Sequence, residues 1–298
     1  MKRIVAVTVG TVVLVVAATA LAAKVDIPDE EDALNLVAQD QTTFDSMQPP
    51  DYNSDCALGD IPDPGDDLGY SPAGDVDSAD SSEDVFDGGL VLWIQRGNQR
   101  HAFEDGNAKA VKRGNDYLRT GPDDVAGLRV TRVEEGLGAA PALRSLIKLQ
   151  NRTGHTAKRT IIWDSDLGAD DTEVARASSA GGTGLSDQDS WLVFADNADG
   201  PSDGVGTFVL FGKGAREKTS VFNEIKDQDS CVSFKMRIAV PPNSTRYLLF
   251  FTEAHDNAEE GVAAARKDAK RYNDREPKKV LRGLSDSVRS KVLNWDLR

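Results

Sequence analysis

Two acidic stretches carry the residue types that chelate a hard cation. Asp164, Asp166 and Asp170 make one, and Asp196, Asp199 and Asp203, with Asn197 and Gly200 among them, make the other. Calcium takes about six to eight oxygens, which closely spaced Asp side chains in a turn can supply. Neither stretch matches the EF-hand loop, because no Glu stands at its final position. Asp and Asn also favour turns by bonding their own backbone, so calcium binding and plain turn chemistry both stand as readings. No other cofactor is expected.

The remaining chemistry is sparse. The two cysteines, Cys56 and Cys231, form an even count that suits a disulfide in an oxidising compartment; two unpaired thiols are the alternative. His101, His155 and His255 lie far apart, at no metal-ligand spacing. Acid–base catalysis needs two carboxyls held across one bond with separated pKa values, and nothing in the order of the 49 acids sets any two of them so. No G-x-S-x-G, H-E-x-x-H, P-loop or dinucleotide fingerprint occurs. Gly181-Gly182-Thr183-Gly184 is glycine-rich but lacks the Lys-Ser/Thr of a phosphate cradle. Trp93, Trp163, Trp191 and Trp295 could stack on sugar rings, but apolar neighbours such as Leu92, Ile162 and Leu192 favour core positions. Asn151-Arg-Thr153 and Asn243-Ser-Thr245 fit the glycosylation pattern, which is common by chance.

Charge narrows the class. A formal net charge of −14 argues against nucleic-acid binding, which needs a positive surface, and against an anionic membrane face. Between Val25 and Ile94 lie 19 acids and no Lys or Arg, whereas Arg266 to Arg298 holds eleven basic and five acidic residues. These two segments are expected to lie near each other in the fold, or the basic tail to meet an acidic partner; independent solvation is the bland alternative.

The elements that would position these groups begin with a leader. Lys2 and Arg3 precede an uncharged apolar run from Ile4 to Ala18, and Ala20-Leu21-Ala22 offers small residues for cleavage. This is the three-part pattern of a secretory signal peptide over 1–22, with an uncleaved anchor as the alternative. The protein is therefore expected outside the cytoplasm, with about 276 residues left for one large domain or two small ones. Residues 23–56 read as an acidic, Pro- and Asp-rich flexible segment.

Residues 57–253 read as β. Apolar runs or alternations mark strands at Leu90–Gln95, Gly127–Val133, Leu143–Leu149, Arg159–Trp163, Trp191–Ala195, Thr207–Phe211 and Tyr247–Phe251. From Cys231 to Val240 the alternation is strict, with Val232, Phe234, Met236, Ile238 and Val240 on one face. Short strands separated by Gly, Asp and Pro turns, without helices between them, predict an antiparallel β-sandwich. Residues 254–298 then read as helices packed on it. Asp256 with Glu259 resembles a capping box, and Ala258, Val262, Ala265, Ala269 and Tyr272 form an apolar stripe. Pro277 ends that helix. A second helix is expected after Ser285, with Leu284, Val288 and Val292 facing inward and Trp295 closing the chain.

The phrases Asp84-Val-Phe-Asp-Gly-Gly89, Val125-Ala-Gly-Leu-Arg-Val-Thr-Arg132, Lys148-Leu-Gln-Asn-Arg-Thr153, Asp166-Leu-Gly-Ala-Asp170, Asp189-Ser-Trp-Leu-Val-Phe194 and Asn294-Trp295-Asp296 follow one another in this order. Over about residues 57–298 this order resembles that of secreted bacterial β-sandwich modules found in large extracellular proteins, and is similar to the supersandwich domains attached to carbohydrate-active enzymes. The resemblance implies the fold and location and, by architectural analogy, carbohydrate binding. The catalytic acids of such enzymes usually sit in a separate helical domain, absent here. The expectation is an exported, non-catalytic binding or structural module with a carbohydrate or cell-envelope partner. A calcium-stabilised adhesion module is the next reading, and a hydrolase or mutarotase-like enzyme the last.

Overall fold

A computed structural model describes residues 23–25, 36–37, 43–44, 76–78, 81–83, 85, 88–103, 110–114, 116–138, 142–167, 173–182, 186, 189–196, 205–223, 231–255, 259–273 and 281–297. Five short strands come first: β1 (Ala23–Val25), β2 (Leu36–Val37), β3 (Thr43–Phe44), β4 (Val76–Ser78) and β5 (Ser81–Glu83). The body follows with β6 (Gly88–Arg96), β7 (Gln99–Ala102), β8 (Ala110–Arg113), β9 (Tyr117–Val125), β10 (Leu128–Gly136), β11 (Ala142–Asn151) and β12 (Ala157–Asp166). Then come β13 (Glu173–Ser178), β14 (Trp191–Asp196), β15 (Val205–Val209), β16 (Ser220–Asn223), β17 (Cys231–Val240) and β18 (Ser244–His255). Two helices complete the described chain, α1 (Glu259–Asn273) and α2 (Asp286–Arg289).

Every paired strand is antiparallel to its neighbours. The nine-stranded sheet runs β1-β8-β9-β10-β11-β18-β15-β14-β13, the five-stranded sheet β16-β17-β12-β6-β7, and β2 to β5 form a small sheet of their own. The expected antiparallel sandwich is what the chain builds. Alternation is the cause: in β17, Val232, Phe234, Met236, Ile238 and Val240 are all buried while Arg237 and Ala239 face solvent. These residues meet Leu128, Val130, Ile147, Leu149, Leu248 and Phe250 from the larger sheet in one core. Trp163 and Phe250 meet edge to face across it.

The chain passes between sheets at two adjacent points. β11 leads to β12 through residues 152–156, and β17 leads to β18 through Pro241–Asn243. Asn151 ties the two crossings together: its amide donates to the carbonyls of His155 at 2.7 Å, Val240 at 2.9 Å and Pro241 at 3.1 Å. That buried amide leaves no room for a glycan, so the first glycosylation pattern is structural. By contrast β9 and β10 join by a two-residue hairpin whose Ala126 and Gly127 both have positive φ, 49° and 78°, as a tight primed turn requires.

A second apolar cluster covers part of the outer face of the nine-stranded sheet. Leu249 and Phe251 of β18, Val205 and Val209 of β15 and Val193 of β14 meet Ala265, Ala269 and Tyr272 of α1. The predicted helical stripe is the face that packs. Ser285 caps α2 through its hydroxyl; Leu284 and Val292 are buried, with Val288 packed beside them. All four tryptophans are buried, so they build core rather than a sugar platform. Among the described residues no helix is long and apolar enough to cross a membrane. The expected leader at 1–22, most of the acidic segment at 23–56 and Cys56 lie outside the described residues, and with Cys56 the disulfide reading.

Candidate functional site

Among the described residues no helix covers the rest of that outer face. Strands β9, β10, β11 and β18 are consecutive neighbours in the sheet, and their outward residues line a cavity of about 320 Å³. Arg119 comes from β9, Arg129 from β10 and Lys148 from β11. Thr131 and Gln150 add neutral hydrogen-bonding groups, Tyr247 an aromatic ring, and Pro122, Val133 and Leu146 an apolar floor. Among the described residues no carboxylate lines it. Each of these side chains except Pro122 is half-buried, which weakens the screening of its charge.

The donors are not used up within the protein. The Nε of Arg119 is buried and has no hydrogen-bond partner among the described residues. Arg129 approaches Asp124 only at 3.8 Å, an exposed pair that contributes little. Burial pushes the Tyr247 phenol up from its ordinary value, so it stays a neutral hydroxyl that can donate or accept. Three cations, a ring and no acid form a receptor for an anionic group carried on a flat, partly apolar body.

A second cavity of about 350 Å³ lies at the five-stranded sheet, among Gln95, Lys158, Arg159, Glu217 and Arg237. Arg159 is committed: its Nε donates to the carbonyl of Ala126 at 2.7 Å. Burial and the nearby Arg96 hold its guanidinium below the usual value. With Glu217 in the wall, this cavity is less one-sided in charge.

Only half of the sequence-derived acids lie among the described residues. Asp164 and Asp166 stand in β12, paired with Ser233 and Cys231 of β17, so ladder hydrogen bonds make them strand residues rather than members of a loop. Asp196 ends β14 in the other sheet. Asp170, Asp199 and Asp203 lie outside the described residues.

The glycine-rich segment has its own anion. Asp189 accepts from the backbone N–H of Ala180 at 2.7 Å and of Ser186 at 2.9 Å, and from the hydroxyls of Ser179 and Ser186, both at 3.1 Å. These donors hold a carboxylate of the chain, which disposes of a phosphate cradle built on them. Burial alone would raise the Asp189 carboxyl, but the Ala180 and Ser186 amides and the serine hydroxyls outweigh it and hold the group below its ordinary value. A depressed acid stabilises the fold above its unfolded pKa and loses that effect as pH falls through its folded value. Asp189→Ala is expected to cost about 1.5–3 kcal/mol at pH 7, and less below pH 3; urea midpoints at the two pH values measure it.

One histidine finds partners that its position in the chain did not suggest. His255 and Glu253, two apart on β18, point to the same outer face, and Asp268 of α1 closes on them. The pattern Glu-x-His in a strand is the signal that could have shown the first two together.

The class these observations define is an antiparallel β-sandwich whose larger sheet is half covered by helix and half open as a basic cavity. No protein-family profile and no curated protein matches the chain. Solved structures do. A galactose mutarotase-like protein from Lactobacillus casei is 6% identical, with 75% of this chain and 100% of that one covered, at a TM-score of 0.42. The GH36 α-galactosidase AgaB from Geobacillus stearothermophilus is 15% identical over 84% of this chain, at a TM-score of 0.43. A polysaccharide lyase is 9% identical over 65% of this chain, at a TM-score of 0.36. The chain spans 43% of the length of that galactosidase and 32% of the lyase.

Proposed function

We propose that this protein is an exported, non-catalytic binding module that holds an acidic saccharide, such as a uronate-bearing cell-envelope or extracellular polymer, on the open face of its nine-stranded sheet. The observation that carries the reading is the cavity of Arg119, Arg129, Lys148 and Tyr247, cationic and with no carboxylate among its described lining residues, in a chain of net charge −14. On a protein of net negative charge a positive site stands out: the overall field disfavours non-specific binding of polyanions and leaves local cationic sites to hold them. The ring of Tyr247 offers a flat apolar surface to one face of a sugar, while Thr131 and Gln150 can bond hydroxyls.

The absence of catalysis is part of the proposal and rests on placement. The pair formed by Glu253 and His255 lies under α1, Glu253 fully buried and the His255 side chain 9% exposed, where no sugar ring can reach. The test is retention on immobilised polygalacturonate and alginate against neutral glucans. Retention on the acidic polymers, weakened by salt, is expected, with a loss of about 10-fold in affinity for Arg119→Ala and for Lys148→Ala. Equal retention on neutral polymers, no retention at all, or acidic binding untouched by both variants would overturn the proposal.

A further inference from the structure

We propose that Glu253, His255 and Asp268 form a site for one divalent transition-metal ion of the zinc class, clamping α1 to the nine-stranded sheet. Their ligand atoms all lie within 4.8 Å of one another. Nε2 of His255 stands 3.3 Å from Oε2 of Glu253. Two donors each about 2.0–2.1 Å from one ion at a tetrahedral angle are separated by about that distance.

The second, independent observation is a set of buried polar atoms without well-formed hydrogen bonds. Glu253 is fully buried, yet among the described residues its Oε1 has no hydrogen bond of good geometry. Oγ1 of Thr207, the residue opposite Glu253 in the register of β15 and β18, likewise has no partner among the described residues, while the hydroxyl of Tyr272, buried on α1, lies against the Glu253 carboxyl. Among the described residues Arg271 reaches Asp268 at 3.7 Å from an exposed position. A buried carboxyl beside a second carboxyl is neutralised either by a proton or by a cation, and orphaned polar groups around it are the mark of an ion or its bound water. Tyr272 is held for a supporting role by its ring, stacked on Phe251 at 5.0 Å and 15°; its hydroxyl can orient Glu253 or a metal-bound water.

The nitrogen donor chooses the metal. Calcium and magnesium take oxygen ligands, whereas an imidazole with two carboxylates suits zinc and its transition-metal neighbours. The ligands bridge two elements, β18 and α1, so the ion acts as a staple between them and leaves the open basic face untouched.

The test uses the full chain, stripped with chelator and titrated with ZnCl₂ and, separately, CoCl₂. One equivalent of zinc is expected to bind and to raise Tm by several degrees, and cobalt to give the visible absorption of a low-coordinate site. His255→Gln and the milder Asp268→Asn are expected to lower affinity at least about 10-fold while keeping the β-type circular dichroism. A stripped wild type that takes up neither metal, variants that bind as well as wild type, or an equal Tm rise with CaCl₂ would each overturn the site.

Discussion

Glu134→Ala is expected to lower unfolding stability by about 3–5 kcal/mol, read as a shifted urea midpoint at unchanged m-value. Arg132 and Glu134 stand two apart on β10 and so share its inward face with Leu128 and Val130. Nε of Arg132 donates to Oε1 of Glu134 at 3.0 Å, with only 1% and 2% of the side chains exposed. Removing the acid takes the Glu134 carboxylate away from a guanidinium buried between two sheets. Replacing both, as Arg132→Met with Glu134→Leu, is expected to return stability to near wild type or above it, because the desolvation of both ions disappears with them. A loss under 1 kcal/mol in the single variant would mean that water reaches the arginine. The pH dependence has a definite sign. Burial, only partly opposed by Arg132, lifts the Glu134 carboxyl above its ordinary value. The folded state therefore holds this proton more tightly than the unfolded chain does. The gain is complete below the unfolded pKa of about 4.3 and is lost as pH rises through the folded value.

Trp295→Ala is expected to cost about 3–5 kcal/mol as well, measured by thermal unfolding. Trp295 is 3% exposed, donates its indole N–H to the carbonyl of Leu249 at 2.7 Å, and meets Phe251 edge-on at 5.6 Å. Its ring occupies the space directly over Gly212, where any Cβ would overlap it. Asn294 beside it accepts from the Leu249 amide at 2.9 Å and donates to the carbonyls of Leu210 at 2.8 Å and Leu249 at 2.6 Å. The pair thus fills a gap between β18 and the segment after β15 that the sheet leaves open. A Trp295→Phe variant keeps much of the ring volume and loses the hydrogen bond, so it is expected to fall between the two.

How much of this could be read from sequence depends on the range of the forces involved. The strand Cys231–Val240 was legible because its alternation is local and one face is wet. β9 was not: Gly121-Pro122 inside it reads as a break, yet Pro122 is exposed where the pairing of β9 with β10 shifts register, a place where a strand tolerates proline. The helical stripe of α1 was legible for the same reason as β17. What it covers was not. An apparent boundary between residues 253 and 254 separates Glu253 from His255 and Asp268, which the structure brings together. The basic cavity was hidden in part: Arg119, Arg129 and Lys148 meet through the sequential neighbours β9, β10 and β11, but Tyr247 joins them only because β11 pairs with β18, its distant neighbour in the chain.

That same pairing bears on how the polypeptide assembles. Through the whole interval of synthesis between Asn151 and Ser244, one edge of β11 has no mate, and β6 must likewise wait for β12. Strands so far apart in the chain meet slowly, and an unmated edge invites a neighbouring nascent chain to add itself. The molecule is thus most exposed to misassociation just before β18 is made, and quenched by the arrival of a single ribbon.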